Sequence, residues 1–230
     1  MTSPAVDAVL FDMDGTLIHT EHHTENVVAR VLLSHGVDEA KVTPGDLYGL
    51  TWAAAGSRVK AAHPELAEVD VGRALMEAFA DVLDREGLRL IPGSTDFFEG
   101  LQRRLPVGLC TSNVRAEVAR LQREYPVFSR LRAIVTGEDV RRSKPDPEGY
   151  LKLAEAMKIA PERCMVFEDS IAGLQAARAA GMQTVAVLHG SPDPAAAQAI
   201  SDHAIDDYTA AIDDGPLVPG LPITRPSTGA

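Results

Sequence analysis

Asp12 and Asp14 stand one residue apart, where the apolar run from Val6 to Phe11 stops and Met13-Asp14-Gly15-Thr16-Leu17 follows. A short apolar run that ends in Asp and Gly reads as a buried strand entering a sharp turn. On an extended backbone both aspartates point to the same side. They also lie at the carboxyl end of the strand, where open parallel sheets place their ligands. Two like charges this close call for a cation or a proton between them. The chemistry suggested is a Mg²⁺-bound carboxylate pair, one acting as nucleophile and the other as general acid. The plainer alternative is an Asp-rich turn with solvated acids.

Three later strand ends carry groups that could serve such a pair. Thr111-Ser112-Asn113 follows the apolar Val107-Gly108-Leu109-Cys110. Its hydroxyls and backbone N–H groups could hold phosphate oxygens, although Ser112 and Asn113 are also good helix N-caps. Ser143-Lys144-Pro145-Asp146-Pro147 sets a lysine just ahead of two prolines that restrict the loop and can fix where it points. Lys144 could neutralise a nucleophile and a transferring phosphoryl group, or it could be a solvated surface lysine. Arg141 and Arg142 are expected in solvent. Phe167-Glu168-Asp169-Ser170-Ile171-Ala172-Gly173 brings a second acidic pair. Its oxygens suit a hard cation, though Asp169 or Ser170 could instead cap the following helix.

The elements that must position these groups follow from apolar periodicity. Further strands are expected at Pro106–Cys110, Leu131–Val135, Cys164–Phe167 and Thr184–Leu188, with a short one at Ala204-Ile205. Helices are expected around Phe97–Leu101 and over Arg115–Tyr125, Pro147–Met157 and Ile171–Ala180. Strands alternating with helices imply a parallel sheet covered on both faces. Between Ile18 and Leu90 the pattern is helical, with amphipathic stretches at Val27–Leu32, Leu47–Leu50, Ala53–Val59 and Leu75–Leu83. Gly36, Pro44, Gly45, Pro64 and Gly87 punctuate them. The expected fold class is therefore α/β, a Rossmann-like parallel sheet core with an inserted α-helical cap domain. The core would take residues 1–17 and 91–213, the cap 18–90, and a flexible Pro/Gly-rich tail 214–230.

The 230 residues suffice for a sizeable core. A formal net charge of −11 argues against nucleic acid or an anionic membrane as partner. Cys110 and Cys164 lie in apolar segments without metal-ligand spacing and read as buried, reduced thiols. No signal-peptide pattern is visible and no apolar run approaches the roughly 20 residues of a membrane span. Cytoplasm is the expected location, as a monomer or homodimer.

Taken in order, the acid pair, Thr-Ser-Asn, Lys-Pro and acid pair resemble the four motifs of the haloacid-dehalogenase-like phosphotransferase superfamily. The resemblance covers about Val6 to Asp207. The Lys144-Pro145-Asp146-Pro147 and Glu168-to-Gly173 strings resemble the branch with a helical cap inserted after the first strand, which includes β-phosphoglucomutases and sugar-phosphate phosphatases. The resemblance implies Mg²⁺ as cofactor, a small phosphorylated metabolite as substrate, and a phosphoric monoester hydrolase as the activity. By it, Asp12 takes the phosphoryl group as an aspartyl phosphate, and Asp14 protonates the leaving oxygen and then activates water. Thr111 and the backbone of Ser112, beside Asn113, would bind the phosphoryl group, and Lys144 would balance charge. The Asp12 side chain, the Asp14 carbonyl oxygen and Asp169 would hold the metal, with Glu168 a direct ligand or one layer behind.

Asp14 argues against dehalogenase and phosphonatase chemistry, since those branches lack the second acid. The mutase alternative is weakened because the mutases' hinge histidine aligns with Thr24, while His22 and His23 are out of register. His19 stands where many relatives have Asp. Thr51, Arg58 and Lys60 are candidate cap contacts, and Trp52 is expected to pack rather than to stack on a ligand. A non-catalytic binding module on the same fold is the third alternative.

Overall fold

The computed structural model describes residues 6–38, 41–43, 46–47 and 49–209. Six parallel strands are ordered β3-β2-β1-β4-β5-β6. They are β1 (Ala8–Phe11), β2 (Val107–Cys110), β3 (Ala133–Val135), β4 (Cys164–Glu168), β5 (Gln183–Val187) and β6 (His203–Ile205). The chain runs outward from β1 through β2 to β3, then resumes on the other side of β1 with β4. Asp12 and Glu168-Asp169 leave the sheet where the strand order reverses, the place at which open α/β sheets bind ligands.

β1 is wholly apolar because both of its faces are covered. Alternation sends Val9 and Phe11 into one core layer and Ala8 and Leu10 into the other. In the first layer Phe11 stacks on Phe167 with ring centroids 5.0 Å apart. Phe97 and Phe98 of α4 (Ser94–Gln102) close over them with Tyr208. The second layer packs α6 (Glu148–Met157) and α7 (Ile171–Ala179) on the opposite face, through Tyr150, Leu153, Met157 and Ala176. Cys110 and Cys164 are buried free thiols. Burial pushes them to about 12 and about 11, so both stay protonated at neutral pH.

Between β1 and α4 the chain forms α1 (Glu21–Ser34), α2 (Trp52–Ala62) and α3 (Val71–Glu86). Two strands of connecting chain run side by side beneath them. His19 N–H donates to Arg89 O at 2.7 Å and Ile91 N–H to Leu17 O at 3.0 Å. Helices α2 and α3 cross at two glycines: a Cβ on Gly56 would come within 2.4 Å of Gly72 N. That close crossing brings Trp52 to 5.1 Å from Phe79, ring to ring. Among the described residues no helix is long and apolar enough to cross a membrane.

Some expected elements differ. Leu47 and Gly49 lie in turns rather than in a helix, and Gly49 adopts φ +74, which breaks a helical repeat. β3 begins at Ala133 rather than Leu131, since Pro126–Arg130 forms a 3₁₀ turn just before it. Helix α8 (Pro194–Ile200) carries no broad apolar stripe. It is started instead by Pro194 and by Asp193, whose side chain accepts from Ala196 N–H at 3.0 Å. Pro44, Gly45 and the expected tail at 214–230 lie outside the described residues.

Candidate active site

Asp12, Lys144, Glu168 and Asp169 converge from three separate segments, and all four are buried. Lys144 Nζ donates at 2.5 Å to Asp12 Oδ1 and at 2.5 Å to Glu168 Oε1. It also reaches Cys110 O at 3.4 Å and sits 5.3 Å from the Tyr150 ring centroid. The lysine is therefore no surface residue, whereas the side chain of Arg142 stands 72% exposed. Burial works against the charge of Lys144, but the Asp12 and Glu168 carboxylates outweigh it and hold the ammonium well above its ordinary pKa.

Glu168 is completely buried, and four donors satisfy it. Oε1 accepts from Lys144 and from Tyr150 OH at 2.9 Å; Oε2 accepts from the Ser170 N–H at 3.1 Å and hydroxyl at 3.0 Å. Ser170 also caps α7 by accepting from Gly173 N–H at 3.0 Å. A Cβ on Gly173 would fall 1.8 Å from Glu168 Oε1. The carboxylate cannot swing away without losing its donors. Gly173→Ala is thus expected to destabilise the protein by about 1–3 kcal/mol, read as an earlier denaturation midpoint; an unchanged midpoint would show the cradle to be compliant.

The loop that delivers Lys144 contains a cis Lys144–Pro145 peptide. It is clamped by Glu148, which accepts from Arg141 N–H at 3.2 Å, Arg142 N–H at 3.1 Å and Lys152 Nζ at 2.6 Å. The Lys152 contact first, then the backbone donors, lower the Glu148 pKa from 4.5 to about 2. A depressed carboxylate stabilises fully above its unfolded pKa and loses that contribution as pH falls toward the folded one. Glu148→Gln is therefore expected to melt below the parent protein at pH 6, with the gap closing as pH is lowered from about 4.5 toward about 2. Melting curves at pH 6 and pH 3 check this; an unchanged gap would remove Glu148 as the clamp.

The cluster holds more negative charge than one lysine balances. Burial pushes Asp12 well above the ordinary carboxylate range; Lys144 pulls it down, while Glu168 and Asp14 push it further up. Burial also raises Asp14, against hydrogen bonds from Asn113 and Thr20. Asp14 Oδ2 receives long contacts of 3.4 Å from Thr111 Oγ1 and Asn113 Nδ2, while Oδ1 is buried with no hydrogen-bond partner among the described residues. Asp169 Oδ1 accepts from Thr16 Oγ1 at 3.2 Å. Asp12, Glu168 and Asp169 each offer an oxygen within 4.8 Å of the others. Three hard oxygen donors and an excess of acidic groups fit a divalent cation.

The Thr111-Ser112-Asn113 corner does not cap α5 (Arg115–Glu124), whose N-cap is Val114. Thr111 Oγ1 accepts from Asn113 N–H at 3.0 Å. The other two side chains reach toward the inserted helices instead. Ser112 Oγ donates to Gly49 O at 2.6 Å, and Asn113 Oδ1 accepts from Trp52 Nε1 at 3.0 Å. Thr51 and Ser143 share a 2.8 Å hydroxyl contact. A cavity of about 90 Å³ lies under this latch, with Asp12, Asp14, Asn113 and Asp169 at its floor.

Of the other cap candidates, Arg58 is exposed and paired with Asp46 at 3.1 Å, and Lys60 lies in a separate depression beside Glu68 and Asp70. Trp52 packs on Phe79, as expected, but also donates to Asn113. His23 is buried with Nδ1 3.8 Å from Glu86 Oε2, and His19 meets His189 edge-on at 5.5 Å. The side chains of His22 and Thr24 lie outside the described residues. Sequence reasoning passed over Thr16, Thr20 and Tyr150. Thr16 was visible inside the first motif; Tyr150 carried no signal beyond a polar tip on a buried helix face.

A family model for haloacid dehalogenase-like hydrolases matches residues 6–181. The validoxylamine A 7'-phosphate phosphatase of Streptomyces hygroscopicus is 32% identical over 87% of this chain and 93% of its own length. The fructose-1-phosphate phosphatase of Escherichia coli is 31% identical over 78% and 95%. Among solved structures, CbbY from Rhodobacter sphaeroides in complex with phosphate has a TM-score of 0.72 at 24% identity, covering 88% of this chain and 95% of that one, which speaks to the fold alone. A strand-order reversal bearing these acids, together with these matches, places the chain in the haloacid dehalogenase-like hydrolase family, as a phosphatase.

Proposed function

We propose that this protein is a Mg²⁺-dependent phosphatase that hydrolyses a small phosphomonoester, such as a sugar phosphate, through a phosphorylated Asp12. The observation that carries the reading is that Asp12 and Asp14 face one cavity while Lys144 is pinned against Asp12. A carboxylate oxygen of Asp12 attacks phosphorus, and the bond from phosphorus to the ester oxygen breaks. Asp14, whose pKa burial raises, gives its proton to the departing alkoxide. The Asp14 carboxylate then takes a proton from water, which attacks phosphorus and frees Asp12 and inorganic phosphate. Thr111 and the Ser112 N–H hold phosphoryl oxygens; Asn113 positions Asp14. Lys144 offsets charge at Asp12. The Asp12 side chain, the Asp14 carbonyl oxygen and Asp169 would hold Mg²⁺, with Glu168 behind them orienting Lys144. The chemistry supplied by that ion is neutralisation of phosphoryl oxygens.

Residues 18–90 act as the cap that closes over residues 1–17 and 91–213 and excludes water. The Ser112–Gly49, Asn113–Trp52 and Thr51–Ser143 contacts support this reading. The enzyme works in the cytoplasm as a monomer or homodimer, without nucleic acid or membrane partners. The test is phosphate release from sugar phosphates, nucleotides, phosphoglycolate and an aryl phosphate, with Mg²⁺ and with chelator. Release that the chelator abolishes is expected. Release indifferent to chelator would overturn the metal, and conversion of glucose 1-phosphate to the 6-phosphate would favour a mutase.

A further inference from the structure

The cavity above Asp12 and Asp14 is two-sided. Its floor is polar: the acids, with Ser112, Asn113 and Ser170, all on core loops. Its roof is built from the inserted helices and is apolar. Val27 and Val28 come from α1, Leu50 and Trp52 from the α2 entry, and Leu75 and Phe79 from α3. The only polar atom that Trp52 owns, its indole N–H, is already donated to Asn113 Oδ1. Val28, Leu75 and Phe79 are buried yet border empty space, so the roof is a shaped apolar surface and not a solvent-facing one.

No cationic side chain lines this cavity among the described residues. Lys144 is held between Asp12 and Glu168, Arg58 is paired in solvent, and Lys60 lies elsewhere. A leaving group with a second phosphate or a carboxylate would bring negative charge against an apolar wall, away from the phosphoryl site, with no cationic side chain among the described residues to pair with it there. A leaving group with an apolar face would instead remove the roof from water, which is worth about fourfold in binding per buried methylene.

We propose, resting on the phosphatase reading, that the substrate is the phosphate monoester of an uncharged alcohol with an apolar face, and that Leu50, Trp52 and Phe79 select it. The roof discriminates by rejecting a second anion as much as by attracting hydrocarbon. Glycine-mediated crossing of α2 and α3 places the Trp52–Phe79 wall, so selection is built into the packing of the cap.

The test measures kcat/KM with Mg²⁺ for ethyl, butyl and phenyl phosphate, glucose 6-phosphate, phosphoglycolate and fructose 1,6-bisphosphate. Butyl phosphate is expected to exceed ethyl phosphate by about tenfold, mostly through KM. Phosphoglycolate and the bisphosphate are expected at least about a hundredfold below butyl phosphate. Phe79→Leu should shrink the butyl-to-ethyl ratio, and Leu50→Arg should raise phosphoglycolate relative to butyl phosphate by about tenfold or more. A flat alkyl series, or phosphoglycolate equal to butyl phosphate, overturns the proposal. Trp52 is the chain's single tryptophan, so its fluorescence reports binding without turnover. If no ester is hydrolysed, the phosphatase reading fails, while titration of Trp52 fluorescence with butyl phosphate and phosphoglycolate still decides the selectivity: tighter butyl phosphate supports it and tighter phosphoglycolate sinks it.

Discussion

Asp12→Asn is expected to abolish phosphate release, lowering kcat by at least about a thousandfold, because an amide oxygen cannot serve as the nucleophile. The fold should survive intact. Asparagine keeps the shape of Asp12 and still offers an oxygen to Lys144. It also removes an acid from a cluster in which burial already pushes Asp12 upward and Lys144 is the only cationic side chain in contact among the described residues. The variant should therefore melt no lower than the parent protein and bind a phosphomonoester that it does not turn over. Activity within tenfold of the parent would remove Asp12 as the nucleophile. Loss of activity together with a large drop in melting temperature would point instead to a structural role.

Lys144→Met carries the second large effect, and on stability as well as activity. Lys144 is 6% exposed and touches two buried carboxylates at 2.5 Å each. Removing one partner of a buried ion pair leaves uncompensated charge, at about 3–5 kcal/mol. For a chain of this size that is a fall in melting temperature of roughly 6–20 °C. The deficit should shrink in acid. Burial already pushes Asp12 above its ordinary 3.8, and without the lysine nothing pulls it back. An acid whose folded pKa exceeds its unfolded value gains stability as pH falls through the folded value, and the gain is complete below the unfolded one. Melting curves of both proteins from pH 7 to pH 4 should converge. Parallel curves would mean that the carboxylates are neutralised by something other than Lys144.

Much of the fold and part of the candidate site are legible in the chain itself, where the signal is local. β1 reads as a buried strand because four consecutive apolar residues are what a strand covered on both faces requires. Asp12 and Asp14 are legible as a pair from their spacing, and both line one cavity, although the chain bends at Met13 between them instead of continuing the strand. Glu168 closes its own strand and Asp169 follows it, a placement that residue order alone indicates. The Ser170 cap of α7 was likewise foreseeable from residue type. Alternating strands and helices are enough to indicate a parallel sheet, and a helical pattern without a strand between residues 18 and 90 is enough to indicate an insertion.

Tertiary structure decided what depends on distant segments meeting. Lys144 reaches Asp12 across 132 positions of chain, and nothing near Lys144 distinguishes it from a solvated lysine until that contact is made. Ser112 and Asn113 have the composition of helix caps, yet Gly49 and Trp52, brought over by the inserted helices, claim their side chains. Arg58 and Lys60 look like substrate contacts by position, yet Arg58 pairs with Asp46 in solvent and Lys60 lines a separate depression. The apolar roof over the acids depends on Gly56 meeting Gly72 at a helix crossing. Residue type and spacing determine which groups stand at the strand ends. Which of them share a dielectric, a charge balance and a cavity is set by packing, because those are properties of the space between elements.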